Sequence, residues 1–452
     1  MKILYATMQF GRDYAQGTER YVAMLAAGMR ERGHAVAILA GDPERHGPRR
    51  RLGERVQDDP PVLYYPTRGW MSVEGLPARE LSGLLDREKP DIVHVANPAH
   101  IGIGLMVAAR QRGIPVIVTV MDFWWLCPKH TLFHASGTIC DANVTWKQCV
   151  RCMGASDARA WVRQLAGVPA IGTAMLTGLY SVRALGRGAT VAELARWTQR
   201  QRIVLDALRQ ADAVIFPSRG ARERLGPRVD SARAHSIPYG LEQRWFDAAR
   251  SRPIEAPADP ARLTLGYAGA LAVHKGPHLL LEAVRQLGWT QTRIRIAGGG
   301  TDAHYIERLH QLAAGLNVEF VGRVESADMP AFLRELDLFV MPSTWPENLP
   351  IVVLETQAVG TPVMASAIDG VTETVPEPMR FKTGSSADLA RCLNQWVSHP
   401  ANPPPLQPVS TAEAMVARTA EVYAQALVGR CPGPISRNHP VEPVQVGNGN
   451  SR

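Results

Sequence analysis

The sequence predicts an α/β protein built of two Rossmann-like domains, and three observations carry that expectation. At 452 residues the chain is too long for one ordinary hydrophobic core. Short apolar runs, such as Asp91 to Val95, Pro115 to Val120, Arg293 to Ala297 and Leu338 to Met341, read as buried parallel strands. Each is followed by a glycine- or proline-bearing turn and a helical stretch, the alternation from which doubly wound sheets are made.

Composition narrows the class. A hydrophobic share of 46% with 20% charged residues describes a soluble globular enzyme rather than a disordered chain. The formal charge of +8, carried mainly by arginine, reads first as a mildly basic surface, with anionic membrane surfaces or phosphate-rich ligands as the sharper readings. No nucleic-acid-binding motif accompanies it, so nucleic acid is not an expected partner. Met1 to Ala6 enters a strand directly, without a signal peptide. The expected location is cytoplasmic, free or peripheral on the inner face of the membrane.

The first domain is expected over residues 1–249. Lys2 to Ala6 is a strand; Gly11 to Gly17 forms a glycine-bearing loop; Thr18 caps a helix from Glu19 to about Arg32, which Gly33 ends; Ala35 to Leu39 is the next strand. Arginine-dense Gly47 to Arg55 reads as a solvated loop. The strand Pro115 to Val120 ends at Met121-Asp122, and His94 and His100, at strand ends, read as structural.

Four of the six cysteines crowd an insertion at about 121–155: Cys127, Cys140, Cys149 and Cys152, the last two as Cys-x-x-Cys. In a cytoplasmic protein this spacing reads as a structural metal site, most simply zinc on four thiolates. A metal-free thiol cluster and an iron–sulfur centre are the alternatives. Leu165 to Val182 carries no formal charge and is flanked by Arg159, Arg163, Arg183 and Arg187. Pro169 and three glycines interrupt it, leaving two readings: a helix dipping into a membrane interface, or a buried helix pair. Val191 to Gln210 reads as a polar-faced helix. Ile237 to Gly240 closes the domain, and residues 250–260 form a Pro/Ala-rich linker.

The second domain is expected over residues 261–409. After the strand Leu263 to Tyr267, a turn from Gly269 to Lys275-Gly276-Pro277 opens a helix over residues 278–287. Glycine, lysine and a helix N-terminus together make a phosphate cradle. Gly298 to Gly300 follows the strand Arg293 to Ala297, and Gly322-Arg323-Val324 follows Val318 to Val321. Pro342 and Ser343 break the strand Leu338 to Met341, and Pro350 suits the first turn of a helix running to Ala358. Glu347 then lies on the loop at the strand's carboxyl end and Glu355 one to two turns into the helix, where open α/β sheets bind ligands. Ala412 to Leu427 is a last helix, within a segment set at 410–428. Residues 429–452, rich in Pro, Asn, Gly and Ser, are expected to be a disordered tail.

The Glu347-x7-Glu355 pair after a strand and Pro-Ser resembles the donor site of retaining glycosyltransferases of the GT4 type, whose two Rossmann-like domains face each other across a cleft in the GT-B fold. The Glu-Asn-x-Pro form, Glu347 to Pro350, resembles a branch common in bacterial surface-polysaccharide synthesis. The resemblance spans roughly residues 1–428, with its motifs in the right order at strand ends. It implies transfer of a sugar from a nucleotide diphosphate to a hydroxyl of a carbohydrate or lipid-linked acceptor, in polysaccharide or glycolipid synthesis. It implies catalytic roles for Glu347, Lys275 and Asp122. Donor-binding roles are implied for Gly17, Gly269, Lys275, Gly298, Gly299, Arg323, Val324, Asn348, Leu349, Pro350, Ile351 and Glu355. The last helix is then expected to cross back to the first domain, and any metal at the cysteines to pin the loop over the acceptor side. No Asp-x-Asp motif is present, which in this class implies no cofactor for catalysis.

Three positions depart from the pattern. Relatives carry histidine where Met121 stands and arginine where Ala270 stands; the usual Gly-Gly-x-Glu-Arg is Gln16-Gly17-Thr18-Glu19-Arg20. Two other classes therefore stay open: a sugar-nucleotide epimerase or phosphorylase on the same plan, and a non-catalytic partner that binds a sugar nucleotide.

Overall fold

The computed structural model describes residues 1–11, 17–41, 52–65, 73, 78–99, 101–141, 143–157, 159–185, 198–249, 259–398 and 408–428. The expectations for residues 12–16, for most of the arginine-dense loop, for His100, for the start of the 191–210 helix, for most of the linker and for the 429–452 tail lie outside those residues.

Two sheets organise the chain. The first takes β1 (Lys2–Thr7), β2 (Ala35–Gly41), β3 (Glu54–Asp58), β4 (Pro61–Tyr65), β5 (Ile92–Val95), β6 (Val116–Thr119), β7 (Ala213–Phe216) and β8 (Ala234–Ser236) in the spatial order β3-β4-β2-β1-β5-β6-β7-β8. All its pairings are parallel except β3 with β4. A two-stranded parallel pair joins β9 (Gly240–Leu241) to a strand near the end of the chain. The second sheet takes β10 (Thr264–Ala268), β11 (Arg293–Ala297), β12 (Val318–Gly322), β13 (Leu338–Met341), β14 (Val363–Ser366) and β15 (Arg380–Phe381) in the order β12-β11-β10-β13-β14-β15, all parallel. The late partner of β9 is β16 (Ser410–Thr411).

The short strands are apolar throughout because helices cover both sheet faces; β5, β6, β7 and β13 are buried at every residue. In the first sheet the order reverses at β1, between β2 and β5. In the second it reverses at β10, between β11 and β13. Loops leaving those strands open the crevices in which such sheets hold ligands, and the two crevices face each other.

The helix Ala412–Val428 returns to the first sheet, as the fold requires. Its Val416 packs so closely on the Gly17–Glu31 helix that a Cβ at Gly28 would lie 2.6 Å from it. Its Tyr423 is fully buried and meets His94 Nδ1 at 2.5 Å, while His94 Nε2 meets Thr119 Oγ1 at 2.8 Å. Burial pushes the His94 imidazole down to about 3, so it sits neutral in this polar knot. His94 is structural, as its sequence context suggests.

The structure corrects two local expectations. The Gly17–Glu31 helix already includes Thr18, so Thr18 is not its cap. The end of the arginine-dense stretch enters an antiparallel β3–β4 hairpin. Of the two readings of the uncharged run Leu165 to Val182 the structure has the helix pair, one face of it exposed: the helix Ala160–Gly167 stops at Val168, and Pro169 precedes a second helix, Ala170–Leu185. No helix among the described residues is long and apolar enough to cross a membrane.

Candidate active site

A cavity of about 490 Å³ lies between the sheets' facing loops. It is walled by Gly17 and Arg20 from the first helix, Met121, Asp122 and His130 from the β6 side, and Gly269, Lys275, Ser343, residues 345–352 and Glu355 from the second domain. Of the residues singled out from sequence, Asp122, Gly17, Gly269, Lys275, Glu347, Asn348, Leu349, Pro350, Ile351 and Glu355 all border it.

Glu347 is the most heavily held group. Its Oε1 accepts from Lys275 Nζ at 2.7 Å, Ser343 Oγ at 2.8 Å and the Trp345 indole Nε1 at 2.7 Å. Lys275 Nζ also lies 4.6 Å from the centroid of the Trp345 ring, against which His274 is stacked at 4.1 Å. Burial and the neighbouring Lys275 lower the His274 pKa to about 4, so it adds no second cation. Two loops must interlock for this. A Cβ at Gly276, whose φ is +70°, would sit 2.0 Å from the Pro342 carbonyl, and one at Gly370, φ +79°, 2.4 Å from the Glu347 carbonyl. Both positions need glycine on conformation and on space. Beside Glu347 the helix Ile351–Ala358 begins with no side chain capping its N-terminus. Its free N–H groups and dipole favour an anion there.

Across the cavity, Asp122 accepts from Asn97 Nδ2 at 2.9 Å and from the Trp124 N–H at 2.8 Å, and pairs with His130 Nδ1 at 3.0 Å. Burial works against its charge, yet His130 and these hydrogen bonds hold the carboxyl below the usual range. His130 was not singled out from the sequence. It enters the site because its backbone takes φ +67°, unusual for a non-glycine residue, inside the cysteine loop. Met121, at the position where the family resemblance leads one to expect histidine, is buried, and its sulfur accepts from the Tyr239 hydroxyl at 3.4 Å. His130 places an imidazole on the same cavity that Met121 borders. Only the spacing of Lys129-His130 after Asp122 hints at this in sequence.

The second glutamate is placed differently from an exposed sugar ligand. Glu355 is 2% exposed and forms an ion pair with Arg20 of the first domain. Burial raises its pKa despite Arg20. Asn348 likewise reaches across: its Nδ2 donates to the Val120 carbonyl at 2.5 Å and to Tyr239 Oη at 3.3 Å, and its Oδ1 accepts from Ser218 Oγ at 2.8 Å. Glu373 accepts from the Gly220 N–H at 2.9 Å, and Arg224 pairs with Asp369. The two domains are therefore joined in a closed arrangement, and Gly17 abuts Ile351, a Cβ on it falling 3.3 Å from Ile351 Cδ1.

Four of the residues singled out from sequence lie off the cavity. Gly298 and Gly299 lock the turn behind it: Leu271 N–H donates to the Gly299 carbonyl at 2.8 Å, and Gly298 N–H to the Gly322 carbonyl at 2.7 Å. Arg323 is exposed and faces Glu325 at 3.8 Å, and Val324 packs on the second domain's core. At Ala270, where the family resemblance leads one to expect arginine, the carbonyl accepts from the Tyr267 hydroxyl at 2.7 Å.

The four cysteines Cys127, Cys140, Cys149 and Cys152 line one cavity of about 30 Å³, room for an atom-sized group. As the side chains stand, no three His, Cys, Asp or Glu side chains among the described residues are gathered tightly enough to hold a metal ion. The four thiols that the sequence groups as a metal site do converge on this one cavity. Burial and the adjacent Cys127, Cys140 and Cys152 push the Cys149 thiol up to about 12. The buried Arg200 guanidinium beside them stacks 4.4 Å from the Trp124 ring centroid and donates to the Trp124 carbonyl at 2.6 Å.

A doubly wound pair of sheets, closed over a cavity with a glutamate–lysine pair and an uncapped helix N-terminus, defines a nucleotide-sugar-handling class of protein. Comparison with known sequences gives the family: residues 253–415 match the family "Glycosyl transferases group 1", and residues 16–148 match the "Glycosyl transferase 4-like domain". The chain belongs to the glycosyltransferases of the GT4 type. It is 25% identical over 414 residues to the GDP-mannose-dependent alpha-mannosyltransferase of Mycolicibacterium smegmatis, covering 89% of each chain. It is 33% identical over 210 residues to the glycogen synthase of Mycobacterium tuberculosis, a match covering 43% of this chain and 47% of that one. The chain thus matches about half the length of the glycogen synthases among its relatives. Among solved structures, Anabaena HepE in complex with UDP superposes with a TM-score of 0.58 at 17% identity, over 95% of this chain and 97% of that one. Sucrose-phosphate synthase from Thermosynechococcus elongatus gives 0.60 at 18% identity, over 95% and 99%. These likenesses establish the GT-B fold.

Proposed function

We propose that the protein is a retaining glycosyltransferase that moves a sugar from a nucleoside-diphosphate donor to a hydroxyl acceptor in polysaccharide or glycolipid synthesis. The observation that carries the reading is the meeting of Lys275, Ser343 and Trp345 on one oxygen of Glu347, next to the uncapped Ile351–Ala358 helix, at the interdomain cavity. A relative named for GDP-mannose and a fold neighbour solved with UDP support the donor class.

The chemistry breaks the bond between the anomeric carbon and the diphosphate oxygen and forms one from the acceptor oxygen to the same carbon. The acceptor proton passes to the departing phosphate on the same face, so no protein nucleophile is needed. Negative charge grows on the diphosphate while the sugar becomes oxocarbenium-like. Lys275 and the N–H groups at Ile351 and Val352 face the first demand. Glu347 holds sugar hydroxyls once Lys275 turns to the phosphate, and the Asp122–His130 pair holds the sugar from the opposite wall. Glu355, screened by Arg20, takes the ribose.

Incubation with UDP-, GDP- and ADP-sugars, with and without oligosaccharide or lipid-linked acceptors, tests this, with the product's anomeric configuration read by NMR. Diphosphate released only when acceptor is present, with configuration retained, is the expected outcome. Free diphosphate or an epimerised donor without acceptor defeats the reading.

The cysteine cavity we propose as a structural zinc site, closed when the four thiols turn inward, which orders the loop bearing His130. Elemental analysis of the purified protein is expected to give about one zinc per chain, as a four-thiolate site implies, and its absence from folded protein excludes the site.

A further inference from the structure

The helix Ala170–Leu185, which follows the ordinary amphipathic helix Ala160–Gly167, buries two threonines beside Leu176 and leaves large apolar residues outside. Along Ala170–Leu185 the exposed positions are Ala170, Ile171, Ala174, Met175 and Gly178, whereas the buried positions include Thr173 and Thr177. Those threonine hydroxyls donate to carbonyls of their own helix turn, Pro169 and Thr173, so the polar groups are satisfied inwardly while Ile171 and Met175 face out. Ile171 is 68% exposed and Met175 53%; Trp161 and Val168 on the same pair are also exposed. Four of the nine exposed large hydrophobic residues among the described ones thus fall between Trp161 and Met175, a clustered patch rather than a scatter. Leu176, on the inner side, packs against Gly154 and Ala166 of the preceding helices, so the pair is anchored and its outward face is fixed.

Charge says what covers that face. From residue 158 to residue 192 the chain has no aspartate or glutamate and four arginines, at 159, 163, 183 and 187. Arg159 is partly offset by Asp157, at 2.8 Å, and lies 5.0 Å from the Trp161 ring centroid. Arg163 is exposed and tied to the Asp157 carbonyl at 2.8 Å. An apolar stripe rimmed by arginines, with an aromatic beside the cation, matches an anionic bilayer surface: side chains enter the acyl boundary and guanidinium groups meet phosphate headgroups. Neither helix is long enough to span, so the geometry is that of a face lying on the membrane.

We infer that the outward face of Trp161, Val168, Ile171 and Met175, with Arg159 and Arg163, docks the protein on anionic lipid bilayers. This does not rest on glycosyl transfer, and the test needs neither donor nor acceptor. The full chain is sedimented at physiological salt with vesicles of phosphatidylcholine alone and of phosphatidylcholine mixed with phosphatidylglycerol. Binding to the mixed vesicles, weak binding to the neutral ones, and a loss of partition of about tenfold or more in Ile171→Ser/Met175→Ser are expected from two exposed apolar side chains. Both positions are exposed, so the melting temperature should hold. Arg163→Glu, on the other helix, should weaken binding independently. Three outcomes overturn the inference: no sedimentation with the mixed vesicles; equal sedimentation of wild type and the serine variant, which reduces the effect to a basic surface; or self-association lost in the variant without vesicle binding, which gives the face to a second copy.

Discussion

Glu347, His130 and Glu355 each do something their residue type does not announce, and the consequences are measurable one side chain at a time. Three donors stand on one oxygen of Glu347. Glu347→Gln keeps the shape but replaces an anion by an amide, and should lower kcat about 100-fold or more through lost charge-matched contact in the transition state. A circular dichroism melt close to that of the wild type would separate this from unfolding; wild-type turnover would remove Glu347 from the chemistry. His130→Ala should lower kcat while leaving nucleotide affinity unchanged, and His130→Asn, which keeps a donor, should recover part of it. Equal loss in both variants argues against a positioning role. Glu355 is buried against Arg20, so Glu355→Ala strands a guanidinium, and Arg20→Ala strands a carboxylate, at a cost of about 3–5 kcal/mol. Glu355→Gln is the cleaner probe. It should raise the donor KM more than it lowers kcat.

At the scale of elements, the helix Ala412–Val428 is tied into the first domain by the His94–Tyr423 contact. His94 is held neutral, its pKa lowered to about 3 by burial. The unfolded chain takes up a proton below an ordinary imidazole pKa, about 6.5, and the folded chain does not. Stability from this site is therefore fully present above that value and is lost as pH falls from there toward about 3. The loss is of the order of a few kcal/mol. Denaturant midpoints across that window should fall for the wild type and fall less for His94→Gln. Parallel slopes for the two proteins would exclude His94 as the cause. Glu355 acts in the opposite sense: with its pKa raised by burial, it favours the fold at low pH and loses that contribution as pH rises through its raised pKa.

For the whole molecule, closure rests on an apolar cluster shared by the domains, with Met121 and Tyr239 of the first and Leu349 and Ile351 of the second in it, and on polar contacts that fix its geometry. Asn348 spans from the second domain to Val120, Ser218 and Tyr239 of the first. Arg20–Glu355 and Arg224–Asp369 add to it. Asn348→Ala should leave each domain folded and bias the pair open. Small-angle scattering would then show a larger radius of gyration, and kcat would fall more than donor affinity, because closure excludes water and completes the site. An unchanged scattering profile with unchanged kcat would assign Asn348 to local loop packing.

Local chemistry in the chain determined the alternation of strand and helix, the two-domain plan, the position of Glu347 at a strand's carboxyl end and the lysine–glycine turn opposite it. Each depends on periodicity, turn residues and helix starts within a few positions. The β3–β4 hairpin was hidden because arginine-rich composition masked a strand that lies at a sheet edge, where side chains face water. Contacts between residues far apart in sequence were decided only in three dimensions. The pairing of Glu355 with Arg20 and the use of Asn348 as a bridge follow from how the two domains close, while the entry of His130 follows from the path of the cysteine loop within the first domain. The exposed apolar face of Ala170–Leu185 is of the same kind: a sequence reports that a segment is apolar, but only packing decides which of its faces is left outside.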